Sequence, residues 1–182
     1  VKNNYTLLLF FAAFCLISVQ CKKDDDSYAK ELAKLPPATT KGHNTFGCLI
    51  NGKAFPSGAP GEHMPLAYYE NNELYISYST RLDPFSPILD KGVSLRIFNK
   101  IYSEGIFQIN PTGNDHFSAI WDGDVYHSYL CNIPQDKVAT IVITRFDSIH
   151  HILSGMFSFK AKSRKNDKIL LVEHGRFDFS YQ

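Results

Sequence analysis

The sequence predicts an all-β, antiparallel fold, a β-sandwich or barrel of roughly 8–10 strands. Three observations carry that expectation. Short alternations of apolar and polar residues recur along the chain, with turn chemistry between them at Asn51-Gly52, Asn71-Asn72 and Asp122-Gly123-Asp124. The aromatic content, 14 Phe and 10 Tyr against one Trp and two Met, suits pleated surfaces better than helices. No stretch after Leu35 keeps a helical period.

Before the first strand lie two short segments. Residues 1–20 read as an export signal, because Lys2 supplies a positive start and the apolar run Leu7 to Val19 is shorter than the about 20 residues a spanning helix needs. The segment resembles a bacterial lipoprotein signal, which implies that the mature chain starts at a lipidated Cys21; an ordinary cleaved signal that leaves Cys21 as a free thiol is the alternative. Residues 21–44 then read as the lipidated cysteine and a flexible tether. Ser27 can cap a short helix through Leu35, Pro36-Pro37 stops it, and Thr39 to Asn44 is polar.

A single all-β domain fills residues 45–182. Phe46, Cys48 and Ile50 alternate with Gly47 and Leu49, and the two-residue Asn51-Gly52 turn returns the chain through Lys53 to Phe55, setting Cys48 across from Phe55. Leu66 to Glu70 and Glu73 to Thr80 form a second hairpin. Val93, Leu95 and Ile97 alternate with Ser94 and Arg96, and Gly105 to Ile109 follows. His116 to Trp121 and Val125 to Cys131 bracket the Asp-Gly-Asp turn. The last third holds Val138 to Phe146, Ile152 to Ala161 and Ile169 to Tyr181. There Phe177, Phe179 and Tyr181 share one face while Arg176, Asp178 and Ser180 share the other. Gly155 and Gly175 mark bulges or close backbone contacts.

Charge excludes one function class. The chain carries 19 basic and 18 acidic side chains; Lys2 leaves with the signal, so the mature chain holds 18 of each. A neutral chain with no basic stripe has nothing to neutralise a phosphate backbone, which argues against nucleic acid as a partner. Cys15 leaves with the signal and Cys21 is taken by lipid, so Cys48 and Cys131 remain as a disulfide candidate in an oxidising compartment, two separate thiols being the alternative.

Motifs for chemistry are sparse. His150-His151 and His127 are the likeliest metal donors, but no His-x-His or His-Glu-x-x-His spacing occurs. Asn114, Asp115, Asp122 and Asp124 offer oxygen ligands without a calcium-loop spacing, and turn formation explains them. No Gly-x-Ser-x-Gly elbow is present, and nothing in their spacing singles out Asp147, Glu173 and Asp178 as a glycosidase carboxylate pair. The expectation is therefore no catalytic residue, no metal and no cofactor. A binding role rests on aromatic residues at or near turns, where Trp121, Tyr68, Tyr69 and Tyr126 could stack on sugars or fill a protein partner's pockets.

Glu31-Leu-Ala-Lys-Leu-Pro-Pro-Ala-Thr39 and Asn44-Thr-Phe-Gly-Cys-Leu-Ile-Asn-Gly-Lys53 resemble the opening of a group of Bacteroides-phylum lipoproteins that form a domain of unknown function. Ile143-Thr-Arg-Phe-Asp147, Ile152-Leu-Ser-Gly-Met-Phe-Ser-Phe159 and Gly175-Arg-Phe-Asp178 are similar to the end of the same family. The Lys22-Lys23-Asp24-Asp25-Asp26 run resembles the tract that carries such lipoproteins to the outer leaflet. The resemblance implies an outer-membrane lipoprotein, surface-exposed, with the periplasmic face as the alternative. It implies no catalytic or binding residue. The function expected is a non-catalytic binding module for a glycan or protein ligand, an envelope-complex accessory subunit or a hydrolase being the alternatives.

Overall fold

Asn51 and Gly52 both take positive φ, 47° and 75°, the conformation a two-residue hairpin loop demands. They join β1 (Thr45–Ile50) to β2 (Lys53–Phe55) with Cys48 opposite Phe55, as the sequence predicts. The same logic joins β3 (Glu62–Glu70) to β4 (Glu73–Arg81) across a Glu70–Glu73 pair, with Asn71 at φ 51°. β3 begins before the expected Leu66, because the missing N–H of Pro65 is tolerated on an edge strand.

The computed structural model describes residues 23–56, 62–71, 73–81, 91–98, 103–109, 115–121, 124–128, 139–163 and 165–181. These hold one helix and eleven strands. The helix, α1 (Lys23–Leu32), contains Ser27 rather than starting there, and among the described residues no helix is long and apolar enough to cross a membrane. The remaining strands are β5 (Lys91–Phe98), β6 (Gly105–Ile109), β7 (His116–Trp121), β8 (Asp124–His127), β9 (Ala139–Asp147), β10 (Ile152–Ser163) and β11 (Ile169–Ser180).

Every pairing is antiparallel, in the order β2-β1-β11-β10-β8-β7-β5-β4-β3, with β9 also paired to β10 and β6 paired to β9. The length of β10 sets the architecture. Its stretch Ile152–Phe159 pairs with β9, and on the same edge Lys162 and Ser163 pair with β8. The sheet therefore divides at β10 into a layer of β6, β9, β10, β11, β1 and β2 and a layer of β8, β7, β5, β4 and β3. The layers face each other through aromatic contacts: Phe46 stacks on Tyr78 at 5.1 Å, Phe55 meets Trp121 edge-on at 6.2 Å and Tyr69 meets Phe146 at 5.0 Å. Within the described residues β2, β3 and β6 remain as edges, so the described strands form one large open antiparallel sheet folded at β10, of the sandwich- or barrel-like all-β class.

Phe177, Phe179 and Tyr181 do lie on the buried face of β11. β1 is buried on both faces. Cys48 and Ile50 point into the main core, while Leu49 packs with Leu35 and Ala54 in a small second cluster.

The chain just before β1 lies against the outer face of the first layer. Asp178, buried on that face, accepts hydrogen bonds from Thr39 Oγ1 (2.6 Å), from the amides of Lys41, Gly42 and His43, and from Ser154 Oγ (2.7 Å). Arg176 donates to the Pro36 carbonyl and Arg145 to that of Thr40. Gly47 makes the approach possible, since a Cβ there would fall 2.5 Å from the Pro36 ring. Burial works to raise the Asp178 pKa, but its hydrogen bonds outweigh burial and hold the carboxyl well below the ordinary range.

Candidate functional site

Alternation along β4, β5 and β7 turns Leu74, Ile76, Val93, Leu95, Phe117 and Ala119 into the core, so Ser77, Ser79, Gly92, Ser94 and Ser118 lie on the outer face of the second layer. Register then lines them up. Leu66, Ser77, Ser94, Ser118 and His127 form one row across five strands. Beside it run a row of Tyr68, Tyr75, Arg96 and His116 and a row of Ser79, Gly92, Ile120 and Val125. Small residues in the middle and larger ones to either side leave a shallow trough of about 220 Å³, lined by Tyr75, Ser77, Ser79, Gly92, Ile120 and Val125 among others.

The floor is rich in hydroxyls. Ser94 Oγ and Ser118 Oγ are 2.7 Å apart and hydrogen-bonded. Most of Ser79 is buried, but its hydroxyl reaches the trough, and among the described residues neither it nor the Ser77 hydroxyl has a hydrogen-bond partner. Gly92 keeps the space above Ser79 open, since a Cβ there would sit 3.2 Å from the Ser79 Cβ.

One wall is rigid and electrically balanced. Tyr68 stacks on Tyr75 with ring centroids 5.2 Å apart, and Tyr68 Oη donates to Glu73 Oε1 at 2.9 Å. Arg96 Nε donates to the same oxygen at 2.7 Å while its guanidinium lies over the Phe98 ring. The Arg96 hydrogen bond holds the Glu73 carboxyl below its usual pKa, and the same pair raises Arg96. Burial, then the bond to Glu73, raises the Tyr68 phenol. The opposite side is apolar, with Val125 43% exposed.

Of the aromatic residues singled out from sequence, Tyr68 alone lies on this outer face. Trp121 packs inward against Phe55 and carries Lys91 Nζ over its ring at 4.5 Å. Tyr69 packs against Phe146 and Tyr181, and Tyr126 is buried in the core. Serines of the trough escape sequence reading because they sit on three separate strands and only register brings them together.

The expected disulfide is not found. Cys48 is a free thiol with no exposed surface, and burial pushes its pKa far up; Cys131 lies outside the described residues, as does Cys21. His150 is spent in the β9–β10 turn, its ring and amide on Asp147, and His151 packs against Tyr181. No group of three or more His, Cys, Asp or Glu able to hold a metal occurs among the described residues; Asn114 and Asp122 fall outside them. Asp147 and Asp178 are both engaged as hydrogen-bond acceptors, and Glu173 lines a different groove.

That second groove, about 490 Å³, lies on the outer face of the first layer between Ala38, Val142, Met156, Glu173, His174 and Arg176. Ile106, Val142 and Met156 form an apolar row at its side, with Ile106 71% exposed. No family model, curated protein or solved structure matches the chain.

Proposed function

We propose that the protein is an outer-membrane lipoprotein, anchored through Cys21, whose β domain is a non-catalytic binding module at the cell surface and which belongs to the Bacteroides-phylum family its motifs resemble. The observation that carries the binding role is the trough: the hydroxyls of Ser77 and Ser79, open to solvent and without protein partners on a paired sheet, beside a stacked and ion-paired cluster. Its placement favours the same reading. Residues 36–42 lie against the outer face of one layer, and the trough opens on the outer face of the other.

External protease added to intact cells, with a periplasmic protein as control, tests the address. Digestion supports surface display and protection refutes it. Replacing Cys21 by Ala is expected to release the protein from membranes, and full retention would refute the anchor.

The exposed row Ile106, Val142 and Met156 favours a second reading, an accessory subunit that covers this face with another envelope protein. Cross-linking from position 106 in cells distinguishes the two, a discrete heteromeric product favouring the accessory role.

A further inference from the structure

The chemistry of the trough narrows the ligand class, a step that rests on the trough being the binding site. We propose that it takes a neutral saccharide chain laid across the strands. Ser77, Ser94 and Ser118 stand in one row on adjacent strands, which neighbour one another at roughly 4.8 Å, a repeat close to the rise of an extended sugar chain. Each hydroxyl both donates and accepts, as sugar hydroxyls do. The Ser79 hydroxyl lies at one side of this row, open to the trough and without a protein partner, so both its donor and its acceptor are available to a sugar hydroxyl. Tyr75, which lines the trough and stacks on Tyr68, gives apolar surface with a polar tip for the hydrocarbon face of a pyranose.

Other classes fit less well. An anionic ligand needs an unspent cation, and Arg96 is committed to Glu73. A peptide strand needs a free sheet edge, whereas β4, β5 and β7 are each paired on both sides. A lipid tail would leave the serine floor desolvated without partners.

A glycan array of neutral and acidic chains, probed with the full protein, is followed by amide-shift mapping with the best neutral hit. The variants are Ser79→Ala, which deletes one hydroxyl, and Ser118→Leu, which fills the floor from an outward-facing position. Binding of neutral chains, with shifts centred on residues 77, 79, 94 and 118 and affinity at least fivefold weaker in both variants, is expected. Unfolding midpoints of both variants serve as the folding control. Shifts centred on Val142 and Met156 instead would overturn the trough as the site. Preference for acidic chains, or for a protein partner that cross-links at position 77, would overturn the neutral-saccharide assignment while leaving the trough in place. No response from any neutral chain at about 10 mM, a concentration that detects millimolar affinity, would overturn the inference outright.

Discussion

The ring of Phe157 lies over Gly175 on the neighbouring strand. The two residues are directly paired between β10 and β11, and a Cβ on Gly175 would fall 2.5 Å from the ring. Two residues along, the relation reverses: Phe177 covers Gly155, where a Cβ would meet the Val142 carbonyl oxygen at 2.3 Å and the Phe177 ring at 2.7 Å. Both glycines therefore make room for an aromatic neighbour in the centre of the core. Gly175→Ala is expected to destabilise by about 1–3 kcal/mol, the usual range for overpacking. Gly155→Ala is expected to cost more, because its obstacle includes backbone that cannot rotate away. Urea unfolding midpoints measure both, and a Gly155→Ala variant as stable as the parent would contradict this packing.

Asp178 ties the segment before β1 to the sheet, and its loss should free that segment. Hydrogen bonds to a charged group are worth roughly 1.5–3 kcal/mol, so Asp178→Asn is expected to cost about 2 kcal/mol. Trypsin reads the local effect. The Lys41 amide is bonded to Asp178 in the parent, so cleavage after Lys41 should accelerate in the variant ahead of global unfolding. Unchanged cleavage there would sink the clamp.

The same carboxyl predicts a pH dependence. Its pKa is held below the value of about 3.9 expected for an unfolded aspartate, so the unfolded chain takes up the proton first as pH falls. The contribution of Asp178 is thus complete above the unfolded pKa and is lost progressively below about pH 4. Parent and Asp178→Asn stabilities should converge as acid is added. A gap that stays constant from neutral pH down to about pH 2 would show that charge on Asp178 is not what holds the segment.

How far these features can be read in the sequence follows from the range of the interactions. The Asn51-Gly52 hairpin and the inward face of Phe177, Phe179 and Tyr181 are legible because turn chemistry and period-two alternation are local. Residues 36–44 look like free linker because their partners, Asp178, Arg176 and Arg145, lie more than a hundred positions away. Ser77, Ser94 and Ser118 each read as an ordinary outward strand residue. Only the pairing of β4 with β5 and of β5 with β7 makes them a surface. Trp121 and Tyr126 show the converse, since proximity to a turn does not say which face of the strand a ring occupies.

Cys48 offers a test of core closure. Its thiol is fully enclosed and held protonated by burial, and the thiolate is the reactive form. Labelling at Cys48 by a maleimide is expected to be negligible in the native protein and complete in denaturant without reductant. Native-state labelling faster than global unfolding would mean that the β1 face opens locally. A requirement for reductant after denaturation would instead show a disulfide.

His174 tests the bulge that shapes β11. Between the pairs formed by Gly175 and Val172 with β10, and by Arg176 and Glu173 with β1, β11 spends one residue more than either neighbour, and His174 takes φ 50° there. Its side chain is exposed and makes an edge contact with Tyr28 at 6.0 Å. The backbone conformation therefore decides what the position tolerates, more than packing does. Asparagine visits the left-handed region readily and a β-branched residue does not. His174→Asn should leave the unfolding midpoint within error of the parent, while His174→Val should cost about 1–2 kcal/mol. Because β11 is paired on both sides, a valine accommodated by removing the bulge would shift the β1–β11 and β10–β11 registers together. That shift would move Asp178 away from Thr39 and Ser154, and cleavage after Lys41 would report it. A valine variant as stable as the parent, with Lys41 still protected, would show that β11 holds its register without the bulge.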